Sequence, residues 1–243
     1  MLLFKRAGAA FAWVLDFTPE LSRLSAEEFA KKFLVDQLNI KGLMLGFDSR
    51  FGCDRMGPES PELKPLAQRL GFEVRCLGPL KTPEDQIISS TMIREAIQDG
   101  RLRDAEAMLG RRVAVLGEVI HGDKRGRRLG YATANVDLGR EVRPPFGVYA
   151  TIAEIDGHRY GSVTNVGYRP TITPANPGEK PDLLIETHIF DFSGELYGQL
   201  MEVHFIEKLR DERRFPDVQA LVEQIKKDET KARMILEAHG ITK

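Results

Sequence analysis

The sequence predicts an α/β segment built on a parallel sheet, followed by a closed or nearly closed antiparallel barrel with one helix attached. Three observations carry this. Up to Gly110, short apolar runs alternate with helical patterns, the order a parallel sheet with crossover connections requires. Beyond it, six strand-like runs follow one another with no helix between them. The chain then ends on one long amphipathic stretch, "VQALVEQIKKDETKARMILEAH". The change of period puts the boundary at residues 110–112.

The first element is expected at residues 12–17, "AWVLDF", as a strand. Before it, Lys5 and Arg6 precede an apolar stretch, and Ala10-Phe11-Ala12 imitates a leader cleavage site. Its direct continuation into a strand that the α/β pattern needs favours a folded start over a leader. "SAEEFAKKFLVDQL" opens with a capping box, Ser25 three residues before Glu28, and puts Phe29, Phe33 and Leu34 on one helical face. "GLMLGF" follows as a buried strand, "ELKPLAQRL" as a helix that Pro65 weakens, and "FEVRCL" as a second parallel strand.

The barrel strands are read at "VAVLGEVI", "YATANV", "FGVYATIAEI", "RYGSVTNV", "DLLIETHIFDF" and "QLMEVHFI". Asp156-Gly157 joins the third to the fourth as a type I′ hairpin, which requires positive φ at both central residues.

Composition narrows the function classes. Lys and Arg number 35 against 36 Asp and Glu, so no global field draws the chain to nucleic acid or to an anionic membrane. An anion site must be local. Cys53 and Cys76 are the only cysteines and stand in no metal-ligand spacing, which points to a cytoplasmic protein without a disulfide framework. No apolar run approaches the ~18 residues of a membrane span.

The candidate anion site is "GDKRGRRLGYATANV" at residues 122–136. Glycines let backbone N–H groups turn toward a ligand oxygen, and Lys124, Arg125, Arg127 and Arg128 would neutralise it. A basic, solvated hairpin is the alternative. The spacing is not that of the common nucleotide loop, and no helix follows. Thr133 and Asn135 are two apart, so on a strand they face one way and offer a hydroxyl and an amide oxygen to Mg²⁺, or simply make a polar barrel face. Glu186 and His188 share a face with Leu184 and Phe190; a carboxylate in that setting can act as a base, or can be an exposed strand residue.

Taken in order, "GEVIHGDKRGRRLGYATANV", "PPFGVYATI", "GSVTNVGYRPT", "LLIETHIFDFSGELYG" and "LRDERRFPDVQALVEQIKKD" resemble the riboflavin kinase module of bacterial bifunctional riboflavin kinase/FAD synthetases, over residues 111–228. The resemblance implies a six-stranded Greek-key barrel with a C-terminal helix at residues 111–243. That barrel would move the ATP γ-phosphoryl group to the 5′-hydroxyl of riboflavin with Mg²⁺. It further implies that Gly122, Asp123, Lys124, Arg125 and Gly126 cover the nucleotide, that Thr133 binds Mg²⁺ beside the nucleotide, and that Asn135 helps position metal and phosphate. Glu186 is implied as catalytic base, with Arg210 and Phe215 on a flap near the flavin. One departure stands out: the family's Pro-Thr-Ala-Asn is here Ala132-Thr133-Ala134-Asn135.

Before Gly110, "GFDSRFG" and "ISSTMIR" resemble the FMN adenylyltransferase module of the same family, a Rossmann-like domain, here partial and assigned to residues 1–110. Asp48 corresponds to its flavin or metal motif; Ser89, Ser90, Thr91 and Arg94 correspond to its phosphate motif. The family's opening Gly-x-Phe-Asp-Gly-x-His-x-Gly-His run is absent, so this portion reads as a remnant or a shortened gene product. The expectation is a riboflavin kinase that makes FMN and no FAD, acting on riboflavin and ATP with no nucleic-acid or membrane partner. Residual FAD synthesis and a non-catalytic flavin- or nucleotide-binding protein are the alternatives.

Overall fold

The computed structural model describes residues 1–122, 131–139, 141–168 and 183–241, with the backbone alone at 168, 183 and 184. By contacts the chain divides into two units, Met1–Ile87 and Ile88–Lys243.

In the first unit, short helices α1 (Leu2–Arg6), α2 (Pro19–Ser22) and α3 (Ala26–Phe29) precede a π-helical segment, Ala30–Val35. The capping box is present: Ser25 Oγ accepts from Glu28 N at 3.2 Å, and Ser25 N donates to Glu28 Oε2 at 2.8 Å. The helix expected to run on through Leu38 widens instead, with Asp36 N bonding Lys31 O and Leu38 N bonding Phe33 O. Phe29 and Phe33 still meet, at 5.2 Å between ring centroids.

The strand expected at residues 12–17 does not form. Val14 and Phe17 are 75% and 83% exposed, so the run has strand composition without a neighbouring strand to take its backbone hydrogen bonds.

Strands β1 (Gly42–Gly46) and β2 (Glu73–Leu77) pair in parallel, from Gly42 opposite Glu73 to Gly46 opposite Leu77. Between them runs α4 (Leu63–Leu70). Pro65 is its third residue, where the backbone N–H would have no helical partner, so the proline costs no helix bond. Ala30, Ala67 and Phe72 form the small core beneath this sheet.

The second unit opens with α5 (Ser90–Gln98) and α6 (Leu102–Leu109). Their Ala96, Ile97, Leu102 and Ala105 belong to the same core as Val113, Val115 and Val203 of the barrel. The division by contact therefore falls ahead of residues 110–112, where the sequence changes period: both helices bury their apolar faces on the barrel.

The barrel is closed from β3 (Ala114–Ile120), β4 (Thr133–Asp137), β5 (Gly147–Ile155), β6 (His158–Tyr168), β7 (Leu183–Ile189) and β8 (Leu200–Arg210). Its order is β3-β4-β7-β6-β5-β8, with every pairing antiparallel. Because β5, β6 and β7 are consecutive and β8 returns beside β5, the connection is a Greek key. Asp156 (φ 47°) and Gly157 (φ 79°) make the β5–β6 turn with the positive angles a type I′ hairpin needs.

Inside the barrel, Thr151 Oγ1 bonds Ser162 Oγ at 2.8 Å and Thr164 Oγ1 at 2.7 Å, and Thr164 reaches Thr187 at 3.0 Å. These hydroxyls, fully buried, satisfy one another across three strands. Outside it, α7 (Val218–Ala238) lays Ala232 and Leu236 against Ala150, Ile152 and Phe190. Among the described residues no helix is long and apolar enough to cross a membrane.

Candidate active site

Antiparallel register assembles the site on the outer face of the barrel. Asn135 of β4 stands opposite Glu186 of β7, and Glu186 opposite Asn165 of β6, giving one row of an amide, a carboxylate and an amide. One step along, Thr133, His188 and Val163 form the next row. Side chains two apart on a strand point the same way, so both rows face one side. His188 Nδ1 donates to the Ala132 carbonyl at 2.9 Å, which fixes the end of β4 against β7. Where the family has proline, Ala132 thus contributes its carbonyl, a group both residues possess.

Asn135 is 6% exposed, and its Oδ1 has no hydrogen-bond partner among the described residues. Gly122 lies directly against it: a Cβ there would come within 2.0 Å of Asn135 Nδ2, so any larger residue would have to displace the Asn135 amide. Leaving a buried acceptor unpaired costs about 1–3 kcal/mol, so a cation or donor at Oδ1 would be stabilised by that amount of relief.

Two clefts meet at Thr133. One, of about 320 Å³, is lined by Gly122, Ala132, Thr133, Asn135 and the 192–197 turn. His121 and Tyr197 stack at 3.8 Å between centroids, Tyr197 at its wall. The other, of about 340 Å³, is lined by Thr133, Val163, Asn165, Glu186 and His188 on one side and by Arg210, Phe215, Leu221 and Ile225 on the other.

The far side of this second cleft is held by α7. Arg210 Nη2 and Nε lie 2.8 and 2.9 Å from Asp228 Oδ2, and Gln224 Nε2 donates to Asp228 Oδ1 at 2.6 Å. Arg213 reaches the same Gln224. The Arg210 and Arg213 guanidinium groups sit 5.6 and 5.0 Å from the Phe215 ring centre, within cation–π range. Glu212 accepts from Asn165 Nδ2 at 3.1 Å and so ties the post-β8 segment to the row that holds Glu186. Its neighbour Asp211 is kept below the ordinary carboxylate range by the hydrogen bond from Lys208.

Profile comparison places a riboflavin kinase domain at residues 109–236 and an FAD synthetase domain at residues 1–92. The bifunctional riboflavin kinase/FMN adenylyltransferase of Bacillus subtilis is 36% identical over 94% of this chain and 70% of its own length. The chain belongs to the bifunctional riboflavin kinase/FMN adenylyltransferase family. The family's Haemophilus influenzae member is 39% identical over 88% of this chain and 68% of its own length. In fold, a solved structure described as a macrolide-efflux protein of Streptococcus pneumoniae matches 95% of this chain and 72% of that one, at 34% identity and a TM-score of 0.75.

Of the residues that the family resemblance singles out, the barrel brings together Gly122, Thr133, Asn135 and Glu186, with Arg210 and Phe215 across the second cleft. Asp123, Lys124, Arg125 and Gly126 lie outside the described residues. In the adenylyltransferase part, Asp48 is exposed just past the end of β1, in the first unit. Ser89 caps α5 by accepting from Met92 N at 3.2 Å, Ser90 and Thr91 open the helix, and Arg94 donates to Thr91 Oγ1 at 3.1 Å, all in the second unit.

Sequence reasoning missed Asn165 and Asp228. Asn165 carried a signal, since it alternates with Val163 on the strand face that Glu186 shares. Asp228 carried a stronger one: it sits at i, i+4, i+8 spacing with the buried Ala232 and Leu236, and a carboxylate on a buried stripe requires a cation, here Arg210.

Proposed function

We propose that the barrel transfers the γ-phosphoryl group of ATP to the ribityl 5′-hydroxyl of riboflavin, giving FMN and ADP. The observation that carries this is the shared wall at Thr133, with the carboxylate of Glu186 on one side and the buried Asn135 on the other. The cleft with Gly122 and Asn135 takes the nucleotide, and residues 123–126 are assigned to it on sequence alone. The cleft between β7 and α7, with Phe215, Leu221 and Ile225 among its walls, takes the flat flavin ring.

Glu186 accepts the proton of the 5′-hydroxyl as its oxygen attacks the γ-phosphorus, and the bond to the β-phosphate oxygen breaks to release ADP. Asn135 and Asn165 flank Glu186 across the strand pairing. Arg210, anchored by Asp228, keeps Phe215 against the ring. Phosphoryl transfer asks chiefly for such positioning.

The Thr133 hydroxyl and the Asn135 amide oxygen are hard oxygen donors on one face, and the Asn135 Oδ1, without a partner among the described residues, fits a small divalent cation. Mg²⁺ bound there would neutralise charge on the phosphates. Thr133→Ala is therefore expected to raise the Mg²⁺ concentration for half-maximal FMN formation severalfold, measured by magnesium titration; an unchanged value would remove Thr133 from this role.

We assign functional modules to residues 1–110 and 111–243, and expect these 243 residues by themselves to form FMN and no FAD. Ser89 and Arg94 correspond to the family's phosphate motif, while the family's histidine run, which would stabilise the pyrophosphate leaving group, does not occur in these 243 residues. Binding without those donors gives little rate, because only interactions stronger in the transition state accelerate a reaction. Incubation with riboflavin, ATP and Mg²⁺, followed by chromatography, is expected to yield FMN and no FAD above an enzyme-free control. No FMN would make the chain a binding protein. FAD formation abolished by Arg94→Ala would establish a working adenylyltransferase.

A further inference from the structure

Three side chains of metal-binding type, none of which lines either cleft, converge on the outer face of the barrel. Glu154 of β5 and Glu202 of β8 are register partners, and His204 follows Glu202 by two residues, opposite Ile152. Period-two alternation puts all three on one face. Val148, the β5 residue at the flavin cleft, is six residues back from Glu154, about 20 Å along the strand.

The three side chains keep only 12%, 8% and 12% of their exposure, in the order Glu154, Glu202, His204. His204 Nε2 lies 3.4 Å from Glu154 Oε2 and 3.7 Å from Glu202 Oε2, and one ligand atom from each residue lies within 4.8 Å of the others. Both separations exceed the ~2.7–2.9 Å of a charge-assisted N–H···O bond. They match a different geometry: four ligands at about 2.1 Å around a tetrahedral ion stand about 3.4 Å apart along each edge.

Arg159 Nε donates to Glu154 Oε2 at 2.8 Å, the kind of outer hydrogen bond that orients a ligating carboxylate, and a carboxylate oxygen has lone pairs for both donor and metal. We propose that Glu154, Glu202 and His204 form a site for one divalent transition-metal ion, with a solvent molecule as fourth ligand. An imidazole beside two carboxylates suits zinc and its neighbours over Mg²⁺. The ion would bridge β5 and β8, whose pairing carries register shifts at Val148/Tyr149 and Ala150/Thr151, and so fix their alignment from outside the barrel.

The test is titration of the metal-free chain with Zn²⁺ by calorimetry, paired with Co²⁺ substitution read by visible absorption. Expected are saturable binding of one ion at this site, a rise in melting temperature, and the intense bands of four-coordinate cobalt. His204→Gln and Glu202→Gln should each weaken zinc binding at least tenfold, and His158→Gln, at an exposed histidine on β6, should not. The cobalt spectrum of the unaltered chain needs no folded variant. Absence of saturable zinc binding, or binding that His204→Gln and Glu202→Gln leave unchanged, would overturn the proposal and leave the cluster a purely structural contact between β5 and β8.

Discussion

Glu186→Gln is expected to lower kcat for FMN formation by roughly 10²–10⁴ with riboflavin affinity nearly unchanged. The amide keeps the shape of the carboxylate and its place between Asn135 and Asn165, so the cleft should remain intact. What it loses is the ability to take a proton from the attacking hydroxyl. Because that proton moves only during reaction, the loss should fall on kcat and not on binding. Stopped-flow binding of riboflavin and steady-state FMN production on the same preparation separate the two. A fall under tenfold would remove Glu186 as the base.

Asp228→Ala should be the most damaging change away from the reacting atoms. Asp228 is 5% exposed and holds Arg210 through two nitrogens. Removing one member of a buried pair leaves the other charge uncompensated, typically costing 3–5 kcal/mol; with Arg210 21% exposed, about 3 kcal/mol is expected. Urea unfolding followed by far-ultraviolet dichroism reads this directly. Flavin affinity should fall as well, since Arg210 and Phe215 lose their anchor on α7. A change below about 0.5 kcal/mol, the scale of an ordinary surface substitution, would show that the pair holds nothing together.

The barrel was legible in the sequence because its signals are local. Apolar, β-branched runs mark β5 and β6, Asp156-Gly157 specifies their turn, and residue spacing alone puts Thr133 with Asn135 and Glu186 with His188. Which residues face one another across strands is a matter of register, and a single sequence does not contain it; the Asn135, Glu186 and Asn165 row emerged only from the pairing. The strand expected at residues 12–17 failed for the same reason in reverse. Its composition suits a strand, but a strand exists only when another backbone accepts its hydrogen bonds. The π-helical segment after α3 was likewise not legible, since helix propensity and the capping box foretell only where the helix begins.

Transfer of label from ATP tests the central claim most directly. With riboflavin, Mg²⁺ and ATP labelled at the γ-phosphate, label should pass to FMN in step with loss of riboflavin, and the Glu186→Gln chain should form little under the same conditions. Label appearing as free phosphate while riboflavin stays unconverted would contradict the account, because the barrel would then be a nucleotide hydrolase and the second cleft would not hold the acceptor.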